Sequence, residues 1–347
     1  MVLWGYSPRE ILQRRGIGPD FSYPNPDGKT DLDYLHRKTE KEDIYFVRNK
    51  NNHWEEVSCL FRVTGRKPEL WIPEGGEIQK DVIYDFMEGG TKVKLRLPPG
   101  GSVFVLFRNL PGENHVSSVE KTDSKLSMSE MPSAQLLSHN QEGFVLQIAS
   151  PGIYAAKDAH GSTRTIKEDA IPVFQEVTGP WEVTFPAGWG APARKVFPNL
   201  ISWTDDEEEG VKYFSGTATY RKEIEISSTL IWTDTKLFLD LGKVGEIADV
   251  FLNGEHCGIL WKPPYRIEIT NAARQGKNEL IVEVTNLWVN RLAGDLLLPA
   301  NKRFCKTNQK PYTSDAGEGR MYKTLPSGLM GPVKLLPAKN ITVRFSE

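Results

Sequence analysis

Cysteine is scarce: Cys59, Cys257 and Cys305 stand far apart, none in a C-x-x-C pair, and an odd count cannot all pair internally. Neither a disulfide framework nor a zinc site is expected, and three ordinary thiols is the reading. Long apolar runs are missing as well. Nothing approaches the roughly 18 to 20 residues that a bilayer-spanning helix needs. Charge of one sign does not dominate, since 43 Lys+Arg against 45 Asp+Glu leave a formal charge of −2. That balance supplies no basic footprint for nucleic acid and no polybasic face for a membrane, so neutral or mildly charged partners are favoured. The opening Met1-Val2-Leu3-Trp4-Gly5 has no basic region followed by an apolar one, so no signal peptide is read there. No repeat of 20 to 50 residues suggests a solenoid or propeller.

What the chain does have is length and strand-forming residues. Its 347 residues are enough to bury the cores of two or three domains, and 9 Trp, 11 Tyr, 30 Gly and 23 Pro describe strands, turns and aromatic surfaces. One helical signal stands at the start, where Ser7-Pro8-Arg9-Glu10 combines a capping Ser, a Pro at the first helical position and a Glu three residues after the cap. From Asp43 the period becomes two. Residues 44–47, 57–63, 93–97, 102–107, 144–148 and 152–155 read as strands, with a polar connection over 111–135. A second set covers 181–185, 211–226, 236–241, 247–252, 259–262, 266–269, 278–285 and 333–336, and Asn253-Gly254 is a hairpin turn signal. The expected fold is therefore all-β, with two consecutive β-sandwich, jelly-roll-like domains and one short N-terminal helix. The expected division is 1–30 as the remnant of a preceding domain, 31–172 as the first sandwich and 173–347 as the second.

Several stretches carry a resemblance. Leu239-Asp240-Leu241-Gly242, Asn253-Gly254, Gly258-Ile259-Leu260-Trp261 and 276–282 resemble the galactose-binding-like jelly roll of family 2 glycosidases. Gly179-Pro180-Trp181, Ile201-Ser202-Trp203-Thr204, 212–220, Trp288-Val289-Asn290-Arg291-Leu292 and 327–333 are similar to the C-terminal part of bacterial α-L-rhamnosidases of glycoside hydrolase family 106. Asp33-Tyr34-Leu35-His36-Arg37, 43–47 and Pro68-Glu69-Leu70-Trp71 are similar to the β-domain that precedes it there. The resemblance covers nearly the whole chain. It implies that the acid and base carboxylates and a calcium ion belong to a large (β/α) barrel, for which this sequence shows no alternating βα pattern. An excised or naturally split C-terminal portion is expected, with no catalytic residue, no metal ligand and no cofactor of its own.

Candidate residues follow from chemistry. Glycoside hydrolysis usually needs two carboxyl groups across one sugar site. The dense acidic run Asp205-Asp206-Glu207-Glu208-Glu209 reads instead as a hydrated loop, and its spacing does not match a calcium loop. His256 is read as an exposed hairpin residue without an acid partner. Sugar rings present C–H faces that stack on aromatic rings, which makes Trp189, Trp261 and Trp288 the binding candidates, whereas Trp181 and Trp203 fit core positions. The long segment 286–332 adds Arg291, Asp295, Arg303 and Tyr312 as polar or stacking partners, with Asn290, Asn308, Asp315 and Glu318 nearby. Pinning of the loop by Asn290-Arg291 is the competing reading.

The expected function is a non-catalytic part of a rhamnosidase-like glycoside hydrolase that acts on rhamnose-containing plant or microbial polysaccharides, bracing the barrel and contacting glycan. A free-standing carbohydrate-binding or adhesion module and a small self-sufficient glycosidase are the alternatives. Expected partners are a rhamnose-containing glycan and the absent barrel. A periplasmic or extracellular setting follows from the parent enzymes alone.

Overall fold

The computed structural model describes residues 4–122, 134–171, 174–231, 234–309 and 323–345. They form an all-β architecture of antiparallel sheets, as expected. The chain divides into two compact units, Met1–Ala170 with Asn340–Glu347, and Ile171–Lys339.

Helix α1 (Pro8–Arg14) forms where the capping pattern predicts it. The Glu10 amide donates to Ser7 Oγ, the Ser7 amide donates back to Glu10 Oε2 at 2.7 Å, and none of the helix is buried. The expectation of a single helix needs correction, because α2 (Glu209–Lys212) and α3 (Val289–Leu296) form in the second unit. Val211, read as the first residue of a long strand, is the buried residue of α2, and the strand begins at Thr217. The separation is made at Gly216, whose N–H donates to the Asn286 side chain.

In the first unit, one sheet orders Phe21–Ser22, Glu55–Phe61, Gly90–Leu97 and Tyr84–Met87. A second orders Leu32–Lys38, Asp43–Asn49, Ser102–Asn109, Lys67–Ile72 and Glu77–Gln79. Alternation decides which face is buried: in Asp43–Asn49 and Glu55–Phe61 every second residue is buried, so Tyr45 and Val47 meet Val57, Cys59 and Phe61 in one core. The Tyr45 and Phe61 rings meet edge to face at 4.9 Å. Each such large side chain contributes ~1.5–3 kcal/mol by leaving water. Beside this core, His36 holds a polar junction. Its Nδ1 lies 2.5 Å from Asp20 Oδ2, its Nε2 lies 3.0 Å from Asp43 Oδ1, and its ring stacks on Tyr45 at 4.0 Å. Arg62 also donates to Asp20 from Nε and Nη2.

In the second unit, the main sheet runs Arg194–Phe197, Trp181–Thr184, Thr217–Ile226, Gly276–Thr285, Ile247–Leu252 and Glu255–Leu260. Its longest pairing joins Thr217–Ile226 to Gly276–Thr285 over ten residues. Thr235–Asp240 pairs with Arg266–Glu268 on one side and with residues 334–339 on the other. Asn253 and Gly254 close the hairpin between Ile247–Leu252 and Glu255–Leu260 with φ of 54° and 81°, the left-handed pair that a type I′ turn requires. Trp181 and Trp203 are fully buried in this core with Tyr220, Phe214 and Phe185.

The Asp20 junction sets a pH dependence. Burial raises the Asp20 pKa, but hydrogen bonds and charge from His36 and Arg62 outweigh it and hold the carboxyl below its ordinary range. A carboxyl depressed in the folded state stabilises the fold above the unfolded-chain value of about 3.9, and that contribution is lost as pH falls through the folded value. In urea titrations across pH 2–7, Asp20→Asn is expected to be less stable than wild type at neutral pH, with the difference shrinking toward acid; a difference independent of pH would contradict this account.

Candidate functional site

The segment after Asn286 is held by buried amides before it exposes anything. Asn286 Nδ2 donates to the Phe214 carbonyl and to Ser327 Oγ. Four residues later, Asn290 Nδ2 donates to the Leu325 carbonyl and to Ser327 Oγ, while Asn290 Oδ1 accepts the Leu325 N–H at 2.8 Å. The returning chain is tied again where the Ser327 N–H donates to Ser202 Oγ and the Leu329 N–H donates to Tyr220 Oη. Trp203 Nε1 donates to the same phenol at 2.6 Å. Gly328 passes so close that a Cβ there would lie 2.6 Å from both Trp203 Nε1 and Tyr220 Oη, and its φ of +89° suits glycine. Both ends of the long segment are thereby fixed to the core.

Helix α3 has inverted polarity. It buries Asn290, Arg291, Ala293, Gly294 and Asp295, while Leu287 and Trp288 before it and Leu297 after it are 48%, 60% and 61% exposed. Ordinary surface helices do the reverse. The buried Arg291 and Asp295 stand one turn apart, with Nε and Oδ1 at 3.0 Å and side-chain exposures of 4% and 5%. Asp295 also accepts the Phe304 N–H on Oδ1 and the Cys305 N–H on Oδ2. This carboxylate positions the 304–305 backbone so that the Arg291 guanidinium lies 4.4 Å from the centre of the Phe304 ring. Burial first, and then the Asp295 charge, raises the Cys305 thiol pKa above its ordinary value, so the thiol stays protonated. Gly294 lets the helix approach Tyr213, since a Cβ there would lie 2.5 Å from that side chain.

Around this base the aromatic side chains form a ridge. The Trp288 ring meets Trp189 at 5.9 Å and 78°, and Trp189 packs on the core of the unit. Gly190 follows directly, and its position faces the Phe304 ring tip. Trp189 and Trp288 therefore meet each other, with Trp189 half-buried on the core and Trp288 exposed, while the enclosed Arg291–Asp295 pair holds the Phe304 segment beside Gly190. Arg303 is exposed and donates from Nε to the Leu298 carbonyl, and Asn308 is exposed beyond it. Tyr312, Asp315 and Glu318 lie outside the described residues.

Trp261 does not join them. It is 55% exposed just after Glu255–Leu260, at one edge of the main sheet, whereas Trp189 follows Trp181–Thr184 near the other edge. Four strand spacings of ~4.8 Å separate those two strands, roughly 19 Å across the sheet. Two expectations about charged groups change. His256 has an acid partner, because Asp249 on the neighbouring strand places Oδ1 2.7 Å from its Nε2, though on the exposed side of the hairpin. The acidic run is solvated at four positions, but Asp206 is buried, where it takes a hydrogen bond from Lys195 Nζ at 2.6 Å and one from the Glu208 N–H. Burial lowers the Lys195 pKa, but the hydrogen bonds to Asp206 and Glu208 outweigh it and raise the value above the ordinary lysine range. The sequence marks Phe304 only as one of the aromatics of 286–332 that need burial or a ligand, without placing it at a site. No spacing signal marks it, because its position depends on two backbone hydrogen bonds to Asp295.

Comparisons with known proteins agree with the resemblance. The family model for α-L-rhamnosidases of glycoside hydrolase family 106 matches residues 1–86. A Formosa agariphila protein that carries a β-glucuronidase name is 38% identical in an alignment that covers 96% of this chain and 45% of that protein. A rhamnosidase structure from Novosphingobium sp. PP1Y aligns at TM-score 0.67 and 30% identity, over 94% of this chain and 26% of that one. The chain thus contains a region related to family 106, belongs to a glycoside hydrolase-related protein, and spans less than half the length of either relative.

The buried ion pair yields a prediction. Asp295→Ala leaves Arg291 charged and enclosed and removes the acceptor for two amides, a change expected to destabilise the second unit by ~3–5 kcal/mol. Chemical denaturation measures it, and a loss below ~1 kcal/mol would show that the pair does not carry the loop.

Proposed function

We propose that this chain is a non-catalytic β-sandwich portion of an α-L-rhamnosidase-type glycoside hydrolase, that it braces a catalytic barrel, and that it offers the Trp189–Trp288–Phe304 ridge to a rhamnose-containing glycan. The observation that carries the proposal is the end-to-end likeness of the chain to about a quarter of a rhamnosidase. The inverted polarity of α3 supports the surface role, because large apolar side chains kept outside while charges are kept inside mark a contact surface. Flat indoles suit the C–H faces of sugar rings. The Asp295 carboxylate is committed to Arg291 and two backbone amides, which favours support over acid–base chemistry. On this reading the family's calcium and its acid and base belong to the barrel.

The test joins binding, stability and turnover. Trp288→Ala is expected to weaken binding of a rhamnose-containing oligosaccharide by about tenfold, the factor that ~1.4 kcal/mol of lost stacking gives, with little change in melting temperature. The chain alone is expected not to hydrolyse an aryl α-L-rhamnoside. A lowered melting temperature with unchanged binding would make the ridge a packing surface, and turnover abolished by a single Asp or Glu substitution in this chain would overturn the non-catalytic reading.

A further inference from the structure

The first unit contains a cleft of about 570 Å³ that is separate from the aromatic ridge. We infer that it is a second carbohydrate-binding site, shaped for a short neutral oligosaccharide. Its wall is prebuilt by cross-strand register. Glu56 on Glu55–Phe61 stands opposite Arg96 on Gly90–Leu97, and both side chains are only 14% exposed. Glu56 also holds Lys94 at 2.6 Å. Just before that strand, Trp54 lies against the Arg96 guanidinium at 4.5 Å, so the aromatic ring is braced rather than free to swing.

Three properties of this lining select the ligand class. Among the lining residues, Leu70, Ile72 and Leu95 supply apolar surface for C–H groups, and Trp54 supplies a ring. Planar polar groups in the lining, the Glu56 carboxylate, the Arg96 guanidinium and the Gln135 amide, are of the kinds that hydrogen-bond vicinal hydroxyls. The charges nearly cancel, with four carboxylates and three cationic side chains among the lining residues. A polyanionic chain would meet those carboxylates, whereas a neutral sugar meets donors and acceptors in balance. The volume lies in the range of small-molecule sites.

The site goes beyond the proposal for the ridge, and its test separates the two. Indole N–H resonances of the full chain, assigned by Trp→Phe variants, are followed during titration with rhamnotriose, xylotriose and trigalacturonate. At least one neutral trisaccharide is expected to shift the Trp54 signal saturably, with trigalacturonate at least about tenfold weaker. Trp54→Ala is expected to weaken the neutral sugar by at least about tenfold, whereas Trp288→Ala leaves this binding unchanged. If Trp54→Ala fails to fold, Gln135→Ala decides in the same way. The inference is overturned if no neutral probe shifts the Trp54 signal, if the folded variant binds as tightly as wild type, or if trigalacturonate binds as well as the neutral sugars.

Discussion

The shared hydroxyl of Ser327 is the point on which the second unit's surface depends. Asn286 before α3 and Asn290 within it both donate to it, and the backbone on either side of Ser327 is tied to Ser202, Trp203 and Tyr220. Buried amides that lose their partners are costly, so this arrangement leaves the segment few alternatives. The helix between these anchors must start where it does, and the direction in which Trp288 points follows from that.

The strands were legible because alternation is a direct imprint of a two-sided environment. Residues 44–47 and 247–252 lie within strands of matching burial pattern, and Asn253-Gly254 turns as its φ preferences require. Trp181 and Trp203 were separable from the surface indoles on the same ground, since they lie in or beside apolar runs. Helix α3 was not legible. A rule that seeks apolar residues on the buried face meets the opposite pattern in Trp288-Val289-Asn290-Arg291-Leu292, and only the distant partners Ser327, Leu325 and Phe304 make the polar face the inner one. The Asp249–His256 pair escaped for a related reason: cross-strand neighbours are set by the hairpin register, including the irregularity between Val250 and Phe251, rather than by distance along the chain.

Burial divides the candidate residues into two environments, the exposed Trp288 and Trp261 on one hand and the enclosed Arg291 and Asp295 on the other. For Arg291 and Asp295 the sequence leaves ligand contact and pinning of the loop as competing readings, and the structure encloses the pair, with the Arg291 guanidinium against the Phe304 ring. Trp261 shares its residue type and exposure with Trp288 but sits near the opposite edge of the sheet. Composition can suggest that indoles bind sugar; only topology decides which of them can act on the same molecule.

The inside-out character of α3 separates two kinds of mutational constraint. Changes at Asn290, Arg291 or Asp295 disturb hydrogen bonds and charge in the interior, so these positions have little freedom to vary. Leu287, Trp288 and Leu297 project into solvent, where replacement costs the fold little. The residues that flank the helix can therefore diversify in shape and chemistry while the helix itself preserves the scaffold, an arrangement that lets one sandwich acquire new surface preferences by substitution at three positions.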